Sequence, residues 1–154
     1  MAQDIKIIWN TDLMEGDISY SNGDLVVDDG LETAVLMSLF TDRRAEDDDE
    51  LPDPNSTDKR GWWGDLVSDI NNDKIGSRQW LLERSKTIDE VLENIKLYAE
   101  EALQWMIDDD VVANIEIESE RNGDKLYYKV IIYKSDGEIV KMKFDSLWKN
   151  QIEV

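Results

Sequence analysis

The stretch TIDEVLENIKLYAEEALQWMIDDD, Thr87–Asp110, decides how this chain folds. Ile88, Val91, Leu92, Ile95, Ala99, Ala102, Leu103 and Met106 recur at three- and four-residue spacing and so share one face of an α-helix. Asp89, Glu93, Lys96, Glu100 and Gln104 fall on the other face. The spacing predicts an amphipathic helix of about six turns, packed by one side on a sheet or another helix. Thr87 and Glu90 fit a capping box at its start, and Trp105 sits near its end. That end is poorly built. Asp108, Asp109 and Asp110 oppose the helix macrodipole, at a cost of about 0.3–1 kcal/mol each. Such a run is either a break that needs only polar residues or a cluster that meets a basic partner.

Downstream the period changes from helical to alternating. Val112–Ser119, Lys125–Tyr133 and Glu138–Asp145 read as three strands, joined by turns at Arg121–Asp124 and Ser135–Gly137. Val140, Met142 and Phe144 alternate with Lys141, Lys143 and Asp145, so the third strand has one apolar face. A three-stranded meander with a packed face is stable where a lone hairpin is not, and the long helix is its natural cover. Beyond it, Ser146–Val154 is a tail whose Trp148 can dock on this chain or on a neighbour.

Upstream lies RGWWGDLVSDINNDKIGSRQWLLER, Arg60–Arg84, which holds Trp62, Trp63 and Trp80. Rings of this size bury about 150–250 Å² each and dominate either cores or interfaces. The stretch is therefore a core anchor or a partner-binding platform, with Arg84 at its end. Asp65–Ile70 reads as one helical turn, Asn71–Gly76 as a turn region, and Ser77 as the cap of a short helix through Arg84. Thr41–Lys59 is an acidic loop with both prolines and five consecutive acids, Glu46–Glu50. At this length it is expected to be mobile or partner-facing over about residues 41–60. It lacks the alternating ligands and turn glycine of a calcium loop. Before it, Ile5–Trp9 reads as a strand or arm. Ile18–Tyr20 and Leu25–Val27 form a hairpin around Asn22-Gly23, and a largely buried helix, Leu31–Phe40, starts from an Asp29 cap with Glu32. The fold expected is a single α+β domain over residues 1–154: an N-terminal hairpin and buried helix, then a long amphipathic helix on a C-terminal antiparallel meander.

Composition narrows the function. The chain has 36 acidic and 17 basic residues, a net charge of −19, which disfavours phosphate backbones and anionic membranes and favours basic partners. It has neither cysteine nor histidine, which removes thiolate chemistry, disulfides, the usual zinc ligands and every histidine-assisted nucleophile. The start MAQDIKIIW lacks the basic and apolar regions of a signal peptide, no run approaches membrane-spanning length, and a reducing aqueous compartment is expected. Paired carboxylates could hydrolyse glycans, but 36 acids make close pairs by chance and none sits in a motif. Glu116, Glu118 and Lys129 could be assembled into a metal-dependent nuclease site, yet alternating acids on a strand more often line a solvated face. There is no phosphate loop. No enzyme activity, cofactor or metal is expected.

Four segments carry a resemblance: GDLVVDDGLETAVLMSLFTDRRA (Gly23–Ala45), RGWWGD (Arg60–Asp65), GSRQWLLERSK (Gly76–Lys86) and EALQWMIDDDVV (Glu101–Val112). In order and spacing, over about residues 17–118, they resemble the Mu-type phage tail protein family, the baseplate wedge component of contractile tails and their prophage relatives. That family is similar to the small wedge subunits sometimes labelled lysozyme-related. The resemblance implies a virion structural protein, assembled in the host cytoplasm into the tail baseplate, that packs around the tail tube and helps to initiate the sheath. It implies other baseplate and tail proteins as partners, with the sheath subunit joined by strand addition at a sheet edge, and neither nucleic acid nor membrane. Wedge relatives carry Glu-Pro-Arg where the long helix meets the meander. This chain has Asp108–Asp110 there, so any role of that motif is not carried over, and the lysozyme label gains no support. Candidate interface residues are Trp62, Trp63, Trp80, Arg84, Asp108, Asp109, Asp110 and Trp148. The alternative from another class is an acidic nucleic-acid mimic that inhibits a host DNA-binding enzyme. The charge fits it, but the acids cluster in loops and helix ends rather than at phosphate-like spacing.

Overall fold

The computed structural model describes residues 4–10, 13, 15–84, 87–123 and 125–145. Six short strands open the chain: β1 (Asp4–Ile5), β2 (Ile7–Asn10), β3 (Glu15–Ile18), β4 (Tyr20–Ser21), β5 (Asp24–Leu25) and β6 (Val27–Asp28). Helix α1 spans Leu31–Phe40 and helix α2 spans Ile88–Asp108. Three longer strands follow: β7 (Asn114–Asn122), β8 (Lys125–Tyr133) and β9 (Ile139–Asp145). Two 3-10 helices, Trp63–Val67 and Arg78–Arg84, sit between α1 and α2. The architecture is α+β, as the alternation of helical and strand periods requires.

The C-terminal meander has the order β7-β8-β9 and is antiparallel throughout. Its register lines up Ile117, Val130 and Met142 across one face, and Ser119, Tyr128 and Phe144 beside them. Along β8, Leu126, Tyr128, Val130 and Ile132 are all buried. Helix α2 covers this face with Val91, Ile95, Ala99, Ala102, Leu103 and Met106, each at most 2% exposed. The apolar stripe read from the sequence is thus the surface that is removed from water. On the outer face, Glu118 pairs with Lys129 (3.6 Å), Glu120 with Lys143 (3.3 Å), and the Tyr133 hydroxyl donates to Glu116 (3.0 Å). The acids that could have suggested a nuclease lie in this cross-strand ladder.

The N-terminal strands form the hairpin expected around Asn22-Gly23, with Tyr20 opposite Leu25. It spreads into more pairing than the sequence indicated. β3 pairs with β2 and β6 with β1, and Lys6 serves both sides: its N–H donates to Val26 (2.8 Å) and its carbonyl accepts from Ser19 (3.0 Å). β3 reads EGDI and is exposed throughout, so it has no alternation by which to be found. Helix α1 fixes this layer to the core. The Thr33 hydroxyl accepts from Ile7 N–H (3.1 Å) and donates to the Ile5 carbonyl (3.4 Å). Trp9 stacks on Phe40 at 3.9 Å, and Phe40 meets Phe144 edge-on at 5.5 Å, which links the N-terminal layer to the meander.

Two local expectations change. The cap of α1 is Gly30, not Asp29; the Asp29 carboxylate still accepts from Leu31 N–H (3.2 Å) and also faces Lys134 (3.6 Å). Thr87 is the N-cap of α2 and its carbonyl accepts from Val91 N–H (3.2 Å), but its side chain does not cap the helix backbone; the hydroxyl donates to Glu90 (3.4 Å) instead. The short helix read from Ser77 through Arg84 forms as a 3-10 helix, Arg78–Arg84, and the Ser77 hydroxyl at its start accepts from Gln79 N–H (3.2 Å).

Candidate partner interface

Arg78 holds the region between the two α-helices together. Its guanidinium bonds both oxygens of Asp49 in the acidic loop (2.9 Å each) and both oxygens of Glu101 on α2 (3.0 and 2.6 Å), and it stacks over Tyr98 at 4.9 Å. Burial works against its charge, but the bonds it donates to Glu101 and Asp49 outweigh that and hold the charge more firmly than in an ordinary arginine. Arg43 approaches the same Glu101 at 3.1 Å, an ion-pair distance without hydrogen-bond alignment. Around this clamp, Ala45 N–H bonds the Lys59 carbonyl (2.9 Å), Lys59 pairs with Asp47, and Lys74 with Glu46 (3.0 Å).

The tryptophans separate into two kinds. Trp80 is 5% exposed, its indole N–H donates to the Arg43 carbonyl (2.7 Å), and the Arg60 guanidinium lies over its ring at 4.5 Å. It is a core anchor. Arg60 is held in turn by Asp42 and Glu83, each at 3.0 Å. Trp62 and Trp63 stand outside, tilted against each other at 5.4 Å. With Leu66, Val67 and Ile70 they make five large apolar side chains in nine positions, each between 47% and 82% exposed. The Trp62 ring folds onto Gly64, where an added Cβ would lie 2.1 Å from it. This close approach explains the glycine inside the aromatic cluster.

Beside these rings lies a cleft of about 340 Å³, walled by Trp62, Trp63, Leu66, Asp65, Asp73 and Lys74 among others. The Asp65 Oδ1 accepts from Ile75 N–H (3.2 Å); its Oδ2 is shielded from solvent and receives no hydrogen bond among the described residues. Ser68 donates to Asp73 (3.2 Å). The clamp residues and the trio Leu66, Val67 and Ile70 were not singled out by sequence. The available signal for the trio was five large apolar residues interleaved with Asp65 and Asp69 and bounded by Asp73, too short for a buried helix.

The remaining candidates lie elsewhere. Arg84 closes the second 3-10 helix. Asp108, Asp109 and Asp110 are exposed at the end of α2. There Asp110 takes a left-handed conformation (φ 56°), and Val111 and Val112 N–H both bond the Met106 carbonyl at 2.9 and 3.1 Å. The run thus makes the chain reversal that glycine or asparagine usually makes. Trp148 lies outside the described residues. Among the described residues no three carboxylates are arranged to hold a metal ion, and no helix is long and apolar enough to cross a membrane.

Residues 31–139, from the start of α1 to the start of β9, match the family described as phage protein GP46. The chain is 43% identical over 142 residues to the baseplate protein gp46 of Escherichia phage Mu, covering 92% of this chain and 94% of that protein. It is 34% identical over 146 residues to the Mu-like prophage FluMu protein gp46 of Haemophilus influenzae, covering 94% and 97% respectively.

Proposed function

This chain belongs to the phage protein GP46 family, and from that membership we infer that it is a structural component of a phage tail baseplate. It works by assembly rather than turnover. In the finer reading it is a wedge subunit of a contractile tail, packs around the tail tube and helps to initiate the sheath. Partners meet it at the exposed aromatic stretch. The outer edge of β9, unpaired among the described residues, accepts a strand from the sheath subunit, and the acids of Asp108–Asp110 face basic neighbours. The observation that carries the reading is near-full-length similarity to a protein named for the baseplate. The exposure of five large apolar side chains on one short segment supports it, since such patches mark interaction surfaces.

The test is co-expression with the proteins encoded beside it, followed by affinity purification and sizing. We expect a stoichiometric complex that Trp62→Ala weakens while the variant keeps its circular dichroism. A monomer indifferent to every tail protein, yet captured by a basic host enzyme, would overturn the reading.

A further inference from the structure

We propose that the strand that joins β9 alternates apolar residues with aspartate or glutamate, its acids lying against Lys141 and Lys143 and its apolar side chains against Val140 and Met142. The inference rests on the strand-addition reading of this edge and names the chemistry of the strand that fits it.

The backbone decides which groups meet the incoming strand. Lys134 N–H donates to the Glu138 carbonyl (2.9 Å), so by alternation Val140, Met142 and Phe144 exchange bonds with β8. Ile139, Lys141 and Lys143 then turn their N–H and carbonyl groups away from β8, where no strand pairs with them among the described residues. On the core face the cover thins toward this edge. Val130 and Ile132 of β8 are fully buried, whereas Met142 and Val140 opposite them on β9 are only partly so. The other edge differs. There α2 runs beside β7, the Ser119 hydroxyl donates to the Leu92 carbonyl (3.3 Å), and Ile117 is buried. An apolar side chain added beside Met142 therefore extends the core where it is least covered.

On the outer face, charge selects the partner. Glu116, Ile131 and Lys141 form one row across the sheet and Glu118, Lys129 and Lys143 the next, so acids line the β7 edge and lysines the β9 edge. Glu118 meets Lys129 and Glu120 meets Lys143, but Lys141 has no carboxylate partner among the described residues. Residues 125–145 carry five lysines and three acids in a chain of net charge −19, and salt screens charges more than about 8 Å away. Edge lysines discourage indiscriminate pairing: a basic strand opposite them is repelled and an acidic one is admitted. β7 already makes this match on the other side of β8, with Ile115, Glu116, Ile117 and Glu118 in succession. A second copy of this chain is a poorer donor of such a strand, because two molecules of net charge −19 would meet.

The experiment is a titration of the isotope-labelled full chain with three capped heptapeptides in about 0.15 M salt. One alternates valine with glutamate, one valine with lysine, and one serine with glutamate. At millimolar concentration the valine–glutamate peptide is expected to move the amide signals of Ile139, Lys141 and Lys143 downfield and to leave those of Val140 and Met142 nearly unmoved. It is expected to bind more tightly than either control. Lys141→Glu is expected to weaken it about two- to five-fold and to strengthen the valine–lysine peptide, with the rest of the spectrum unchanged. Equal or tighter binding of the valine–lysine peptide to the parent chain, with the same alternating shifts, overturns the proposal and leaves strand addition standing. Equal binding of the serine–glutamate peptide, or a Lys141→Glu chain that binds as the parent does, also overturns it. Absence of alternating shifts with both valine peptides overturns the strand-addition reading as well. A dimer of the pure chain that Lys141→Glu abolishes would make a second copy the occupant and overturn the proposal in its favour.

Discussion

Gly76 sits at φ +100°, and a Cβ there would lie 2.3 Å from the Thr41 carbonyl oxygen. That oxygen accepts from Ser77 N–H (2.8 Å) in the parallel bridge that joins the end of α1 to the second 3-10 helix. Gly76→Ala is therefore expected to lower stability by about 2 kcal/mol or more, read from the urea midpoint. Gly137→Ala, with a similar φ of +91° but open space around it, is the control and should cost about 1 kcal/mol. If the two variants unfold alike, the contact at Thr41 carries no weight. Neither effect is legible in the sequence, where Gly76 looks like any turn glycine. The tryptophans show the same limit. Trp62, Trp63 and Trp80 are chemically alike, and only their neighbours make Trp80 an anchor and leave the other two on the surface.

The segment between α1 and α2 is held by a charged clamp rather than by an apolar stripe. Arg78, 16% exposed at its side chain, ties the acidic loop to α2 through Asp49 and Glu101. Arg78→Met keeps the stem and leaves two partly buried carboxylates facing each other. The expected cost is about 3 kcal/mol, the low end for breaking a buried pair, with faster amide exchange over residues 45–50. Arg78→Lys should recover less than half of it, since an ammonium cannot make both two-oxygen contacts. Unchanged stability or exchange in Arg78→Met would show that the loop is held by other bonds. The arginine's folded-state affinity for its proton is raised, so its contribution is complete below the ordinary arginine range and is lost only above it. The loss in Arg78→Met should therefore be the same from neutral to mildly alkaline pH. Helix α2 and the meander were legible because their periods repeat over many residues. The clamp was not, because Asp49, Arg78 and Glu101 are far apart in the chain.

Across the whole molecule, Tyr128 lies where the meander meets the rest of the core. Its ring is 5.1 Å from that of Phe144. Burial pushes its hydroxyl well above the ordinary tyrosine value of 10.0. The nearby Gln79 amide opposes this, although among the described residues neither the Tyr128 hydroxyl nor the Gln79 Nε2 completes a hydrogen bond. Below pH 10 both folded and unfolded states keep the proton, and stability does not depend on this group. Above it the unfolded chain releases the proton first, so stability falls as pH rises. Tyr128→Phe removes that term. Denaturant unfolding at a series of alkaline pH values should show a shallower decline in the variant, with neutral stability within about 1 kcal/mol of the parent. Parallel declines would place the alkaline sensitivity elsewhere.

Local pattern alone determined the α+β class, the helix Ile88–Asp108, the three C-terminal strands and the turn at Asn22-Gly23. It also carried the four segments that point to a Mu-type tail protein. These are properties of neighbours in the chain, because helix and strand periods are set by backbone geometry within a few residues. The tertiary structure decided which tryptophans are buried, how the acidic loop is anchored, and that Leu66, Val67 and Ile70 stay exposed, with Leu66 lining the cleft beside Trp62 and Trp63. Burial and pairing depend on the sum of groups brought from distant positions. Arg43, Arg60 and Gly64 settle the fate of three identical side chains in ways that no local spacing records.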